Sequence, residues 1–342
     1  MGEVLSLTLM PGAALFPIRV SLGAVGSLLW LLWRRVGLLS KTTTVFLLLC
    51  SPICAQGQSI TVTLLGTGSP VPNLERFGPS ILVQAGSQVL LVDCGRGAVQ
   101  RLFQLGMLKE VHSLFLTHLH ADHVVGIPDL WQTGWLIGRR DVPLQIWGPK
   151  GTADMISHLE KAYQFDIGIR LQYANTPPPR GVVTDTEEIT QGVVYQQQGV
   201  KITAFDVDHG QIKPAFGYRI DYGDRSVVLS GDTRYSENLI RFSKGVDLLV
   251  HEVVAAAEFE VLPGYPPARI REIQSHHTTP EQAGEVFSRV RPRLAVYSHI
   301  VPTTAAASGL IASTRKTYAG PLEVGEDLMT IEVGEQIVVK RH

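Results

Sequence analysis

Thr117-His-Leu-His-Ala-Asp-His123 follows directly on the apolar run Ser113-Leu-Phe-Leu-Thr117. A buried-type strand therefore runs straight into His118, His120, Asp122 and His123, four potential metal ligands within six residues. Where a strand ends, the backbone can turn so that alternate side chains point into one pocket. Neutral imidazole suits zinc, iron or manganese, and a carboxylate completes a mixed nitrogen and oxygen site.

Working outward, three later segments repeat the arrangement: Asp208-His209-Gly210, Ser230-Gly-Asp232-Thr233 and Tyr297-Ser-His299 each place a potential ligand where a buried strand meets a loop. Together with the first cluster they supply His118, His120, His123, His209, His299, Asp122 and Asp232, enough for two ions with several ligands each.

The rest of the chain frames this site. It has 342 residues, 45% hydrophobic and 18% charged, with a net charge of -1. That composition excludes disorder as the main state and gives no sequence-wide basic field. Three cysteines cannot build a disulfide scaffold. From Gln56 to His342, Val/Ile/Leu-rich runs alternate with polar turns. Strands are expected at 60–65, 80–84, 88–92, 113–117, 143–147, 200–206, 216–221, 226–230, 246–250 and 293–297, and helices at 98–108, 152–163 and 280–289. The Pro-rich, then acidic stretch Asn175 to Gly192 reads as a surface excursion. Strands in hairpins as well as crossovers, with interleaved helices, favour an α/β sandwich over a doubly wound sheet.

Residues 1–55 differ in composition. The run Leu22 to Trp33 ends at Arg34-Arg35 and is shorter than the roughly 20 residues of a spanning helix. Lys41, the apolar Val45 to Cys50 and the small residues before Gln56 match a secretory signal with cleavage after Ala55. An alternative is a membrane anchor made from both runs. The expectation is an exported, periplasmic chain: a 1–55 leader before a 56–342 domain.

The sequence resembles the metallo-β-lactamase superfamily, in its ribonuclease Z-like branch. The resemblance rests on Gly66-Thr-Gly68-Ser69-Pro70, Val92-Asp-Cys-Gly95, Thr117–His123, Gly126-Ile-Pro128, Phe216–Arg219, Gly231-Asp-Thr233, His251-Glu252, His277–Ala283 and His299. Trp131–Arg139 and Asp208–Gly217 look like the bacterial arylsulfatase-like subgroup. The resemblance implies a four-layer αββα sandwich holding two zinc ions, with iron or manganese suited to the same ligands. It assigns His118, His120 and His209 to one metal, Asp122, His123 and His299 to the other, and Asp232 to the bridge. It makes His277 the catalytic histidine and Glu252 its supporting carboxylate.

The implied chemistry is attack by a metal-bridged hydroxide on a sulfate or phosphate ester, with His277 donating to the leaving oxygen and Asp122 orienting the nucleophile. Alternatives are ribonuclease Z-type 3′-tRNA processing and lactone or thioester hydrolysis. Ribonuclease Z grips tRNA with an arm inserted between the third and fourth ligand motifs, but His209 and Asp232 leave no room for one. The exposed basic candidates, Arg139-Arg140, Arg269, Arg271, Arg289, Arg291 and Arg293, are scattered. The expected substrate is therefore a small ester and not tRNA. The resemblance also allows a homodimer. Trp131 and Trp135 could line an aryl pocket or pack a helix, and Asp93 could orient a ligand or serve structure. Tyr265 lies in a turn-rich stretch that reads as a surface loop or a lid.

Overall fold

The structure is a computed structural model that describes residues 58–255 and 266–341. The predicted leader and the stretch around Tyr265 lie outside the described residues. Among these residues no helix is long and apolar enough to cross a membrane.

Two mixed sheets stack face to face. The first begins with β1 (Ile60–Gly66), β2 (Ser80–Ala85), β3 (Gln88–Val92), β4 (Ser113–Phe115), β5 (Leu144–Gly148) and β6 (Thr184–Glu188). The second contains β7 (Gly192–Gln197), β8 (Val200–Asp206), β9 (Phe216–Tyr222), β10 (Arg225–Leu229), β11 (Leu248–Val254), β12 (Leu294–Val301) and β13 (Leu322–Val324). The chain then returns to the first sheet with β14 (Thr330–Val333) and β15 (Ile337–Lys340), giving the order β15-β14-β1-β2-β3-β4-β5-β6 against β13-β12-β11-β10-β9-β8-β7. Each sheet is antiparallel through its hairpins and becomes parallel beyond β3 in one and beyond β10 in the other.

The inner faces meet in one core. Val62, Leu64, Val83, Leu90 and Phe115 of the first sheet pack with Ile202, Tyr218, Val227, Val250 and Val296 of the second. Helices Ala98–Gln104, Ile127–Leu136 and Thr152–Arg170 bury Leu102, Leu130 and Ile156 on the outside of the first sheet. Helices Glu237–Phe242, Pro280–Val290 and Ala307–Thr314 bury Leu239, Phe287 and Leu310 on the outside of the second. This is the four-layer αββα arrangement. The helix at Pro280 starts where its sequence says it should: Thr279 and Gln282 form a reciprocal capping box and Pro280 opens the first turn.

Two expectations are corrected and one left open is decided. The 175–192 stretch is not only an excursion, because Thr184–Glu188 pairs with β5 in parallel as an edge strand. Its polar sequence suits an edge, where one face and one rim meet water. Of the two roles open to Trp131 and Trp135, packing the helix is the one found: both are buried, and their indole N–H groups donate to the carbonyls of Val182 (2.7 Å) and Pro178 (3.1 Å). Arg140 is fully buried rather than a surface cation. Its guanidinium donates to the carbonyls of Trp131 (3.0 Å) and Gly181 (3.1 Å), which ties the 178–183 segment to the helix, and burial lowers its pKa to about 10.

Candidate metal centre

The parallel registers build the site. Val92 lies opposite Phe115 in one sheet, and Leu229, Val250 and Val296 lie in line in the other. The carboxyl ends of β3, β4, β10, β11 and β12 therefore meet at one edge of the sandwich. Asp93, His118–His123, Asp232, Glu252 and His299 sit at or near those ends, and His209 follows β8. The backbone of His299 is left-handed (φ 45°), an unusual conformation for a residue with a side chain.

All seven predicted ligand residues come together. Asp232 is the hub: its Oδ2 lies 3.8 Å from His118 Nε2, 3.4 Å from His123 Nε2, 3.8 Å from His209 Nε2 and 3.3 Å from His299 Nε2. Asp122 Oδ2 lies 3.4 Å from His299 Nε2 and 3.7 Å from His123 Nε2. His120 turns its other nitrogen inward, with Nδ1 3.3 Å from His209 Nε2. Three overlapping groups of potential ligand atoms result: His118/His120/His209/Asp232, Asp122/His123/His299, and Asp232/His277/His299.

Hydrogen bonds behind the cluster choose which nitrogen faces inward. Asp93 accepts from the Thr117 amide on Oδ1 (2.8 Å), and from the Thr117 hydroxyl (2.8 Å) and His123 Nδ1 (2.8 Å) on Oδ2. With its proton given to Asp93, the Thr117 oxygen is left to accept from His118 Nδ1 at 3.0 Å. His209 Nδ1 donates to the His276 carbonyl at 2.9 Å. Three rings thus commit Nδ1 to a hydrogen bond and turn Nε2 toward Asp232. Asp93 both fixes the strand end and aims His123, so the two roles left open by the sequence are one.

The residues present fit a cation. His118 Nε2, His123 Nε2 and Asp232 Oδ1 are buried without a hydrogen-bond partner, and such orphans each cost about 1–3 kcal/mol unless something binds them. Burial lowers the pKa of His118 well below its usual value and that of His209 to about 4, which keeps both as neutral donors. Burial also opposes charge on His123, yet Asp232 and Asp93 outweigh it and hold its pKa well above normal. The carboxylates thus draw positive charge to this spot.

His277 and Glu252 lie beside the cluster. Glu252 is buried; its Oε1 accepts from the amides of Thr233 (3.2 Å) and Thr278 (2.9 Å), and its Oε2 lies 3.3 Å from His277 Nδ1. Burial, and then the Asp232 charge, raise the Glu252 pKa well above the carboxylate range, while burial lowers that of His277 to about 4. Asp208 stays out of the cluster and pairs with Arg234 at 2.8 Å. The centre opens into a cleft of about 460 Å³ bordered by Val71, Arg96, Val125, Ile273 and His277, and a second of about 580 Å³ holding Gln211 and Arg234. His120, Arg269 and His276 border both clefts. Nothing in the sequence singles out Arg96 or His276, since a lone Arg or His carries no signal until the fold puts it on the rim.

A model of the β-lactamase superfamily domain matches residues 88–300, which takes in all seven clustered residues. The chain belongs to the metallo-β-lactamase superfamily. Within that superfamily its relatives lie in the ribonuclease Z branch. Ribonuclease Z of Mycolicibacterium gilvum (strain PYR-GCK) is 39% identical over 291 residues, covering 82% of this chain and 99% of the relative. Ribonuclease Z of Mycobacterium avium (strain 104) is 39% identical over 282 residues, covering 80% and 98%. Solved structures share the metallo-β-lactamase fold. The metallo-beta-lactamase fold protein YhfI from Bacillus subtilis superposes with a TM-score of 0.62 at 21% identity, over 80% of this chain and 99% of its own. Human tRNase Z, short form, gives 0.58 at 22% identity, over 79% and 98%.

These relatives overturn the expectation that tRNA is excluded as a partner. The interval from His209 to Asp232 is filled by β9 and β10, as foreseen, so no long arm stands there. Yet the first alignment spans 291 positions and takes in 82% of the 342 residues, leaving little room for an arm in that relative either. A missing arm therefore does not separate this metallo-β-lactamase chain from proteins named ribonuclease Z. The narrower arylsulfatase-like expectation also finds no support in these relatives, which are named for cutting RNA.

Proposed function

We propose that this chain is a metal-dependent endoribonuclease of the ribonuclease Z type, hydrolysing a phosphodiester at the 3′ side of a tRNA precursor. One observation carries the reading: 39% identity across 99% of a relative named ribonuclease Z, in a chain that keeps the whole clustered donor set. His118, His120 and His209 would hold one cation and Asp122, His123 and His299 a second, with Asp232 between them. Bound zinc supplies Lewis acidity toward the phosphoryl oxygens and a water acidic enough to attack at neutral pH.

The protein's own residues do the rest. Asp93, Thr117 and the His276 carbonyl hold the imidazoles in the tautomer that leaves Nε2 bare. Asp122, buried against His299, orients the attacking water. His277 donates a proton to the departing ribose oxygen. Burial discourages charge on either partner of the His277–Glu252 pair, so a proton resting on Glu252 can pass to His277 as negative charge develops on the leaving group. Glu252 is itself fixed by two backbone amides, which hold the pair in register with the cleft.

The test is cleavage of a tRNA transcript carrying a 3′ trailer, beside bis(4-nitrophenyl) phosphate and nitrophenyl sulfate, with zinc, after chelation and with Asp232→Ala. A single metal-dependent cut at the trailer junction, absent in the variant, is expected. Turnover of the small diester by a protein that leaves the precursor intact overturns the tRNA reading. Residues 1–55 bear on it too: an exported chain does not meet tRNA, and fractionation of cells expressing the tagged chain decides between export and RNA processing.

A further inference from the structure

We propose that Arg96 is a positioning residue that grips a backbone phosphate of the RNA next to the scissile one, a role that rests on the ribonuclease reading above. Three arginines stand on the rim of the metal clefts. Arg234 is paired with Asp208 at 2.8 Å and Arg269 with Glu272 at 2.7 Å. Arg96 is exposed and makes no ion pair or hydrogen bond through its guanidinium among the described residues. Of these three rim arginines it is the one left uncommitted among the described residues.

Its place is held by backbone rather than by side-chain contacts. Cys94 N–H donates to the carbonyl of His123 (2.8 Å), Gly95 N–H to that of Pro79 (3.0 Å), and Gly78 N–H to that of Arg96 itself (2.9 Å). Gly95 packs so closely that a Cβ there would lie 2.5 Å from the Asp122 carbonyl. The turn that carries Arg96 is therefore locked to the ligand segment Asp122–His123. Arg96 borders two cavities: the metal cleft and a neighbouring one of about 190 Å³, which is shaped by Val71, Leu74 and Phe77. Leu74 is 89% exposed at that second cavity. A strand with its scissile phosphate at the metal centre passes Arg96 on its way to that apolar surface. A guanidinium fits a phosphate with two parallel hydrogen bonds, and such contacts set register without reading sequence.

The experiment compares the full-length zinc-loaded protein with Arg96→Ala, Arg96→Lys and, as a matched loss of charge on an outer helix, Lys161→Ala. Two readouts are taken. One is KM and kcat on the tRNA precursor and on bis(4-nitrophenyl) phosphate, which has a single phosphate. The other is anisotropy of a short fluorescein-labelled oligouridylate with phosphorothioate linkages, which keeps its charge and resists cleavage, across a salt series. Arg96→Ala is expected to raise KM for RNA and weaken oligonucleotide binding about tenfold, with a shallower salt slope by about 0.7. The loss on RNA should exceed that on the small diester at least several-fold, Lys should restore part of it, and Lys161→Ala should change neither.

Equal losses on both substrates, or RNA binding unaltered in Arg96→Ala, overturn the proposal while leaving the ribonuclease reading intact. Wild-type protein that cuts no RNA but binds the oligonucleotide through Arg96 overturns the ribonuclease reading and upholds the grip. Wild-type protein that neither cuts nor binds overturns both.

Discussion

Replacing Asp93 by Asn should strip zinc from the His123 side of the centre without disturbing the fold, because the change acts on a tautomer. The backbone poses no obstacle: Asp93 has φ 58°, and Asn tolerates this left-handed region as well as Asp does. The carboxylate has three partners, all donors, at 2.8 Å: the Thr117 amide on Oδ1, and the Thr117 hydroxyl and His123 Nδ1 on Oδ2. An amide group has one acceptor oxygen. The Thr117 N–H cannot become an acceptor, so the Asn oxygen must face it and the Asn NH2 must face His123. His123 Nδ1 then accepts, and the ring proton moves to Nε2, the atom pointing at Asp122 and Asp232. Loss of such a supporting partner costs about 10–100-fold in metal affinity or activity. The lost charge-assisted hydrogen bond costs about 1.5–3 kcal/mol of stability. Zinc affinity by competition with a chromogenic chelator, kcat on bis(4-nitrophenyl) phosphate, and urea unfolding of the metal-free protein read these separately. A variant that binds zinc within twofold of the parent with kcat unaltered would refute the tautomer reasoning.

Other expectations follow from the same geometry. His277→Ala should slow ribose-ester cleavage by about 100-fold, within the range for general acids, and a nitrophenyl diester far less, since aryloxide needs no proton; equal losses would remove the donor role. Cys94 is fully buried and burial pushes its thiol well above the usual range, so iodoacetamide at pH 8 should leave it unmodified until urea is added; peptide mapping that finds Cys94 alkylated in the folded protein would contradict its burial. Gly66→Ala would set a Cβ 1.9 Å from the Gly78 carbonyl oxygen, where backbone meets backbone, and should destabilise by about 3 kcal/mol in urea unfolding.

The candidate cluster was legible because the strand-then-His pattern is local. His118 to His123 lie within one turn of chain, and His209, Asp232 and His299 each follow a run that reads as a strand without any tertiary knowledge. Edge and peripheral elements were less so. Thr184–Glu188 has too few apolar residues to signal a strand, since only pairing with β5 makes it one. Arg140 read as surface charge because nothing local reveals that carbonyls from two segments converge on it.

By itself the sequence determined the α/β layering, the candidate donors and their order, since these depend on hydrophobic period and residue chemistry. The tertiary structure alone decided how they combine. Parallel register across both sheets brings residues from Asp93 to His299 to one edge. Hydrogen bonds from the imidazole Nδ1 atoms to Asp93, Thr117 and the His276 carbonyl select the ring nitrogens that face inward. Packing consigns Trp131 and Trp135 to the helix layer and leaves Arg96 on the rim. Those outcomes depend on contacts between segments far apart in the chain, which no local pattern encodes.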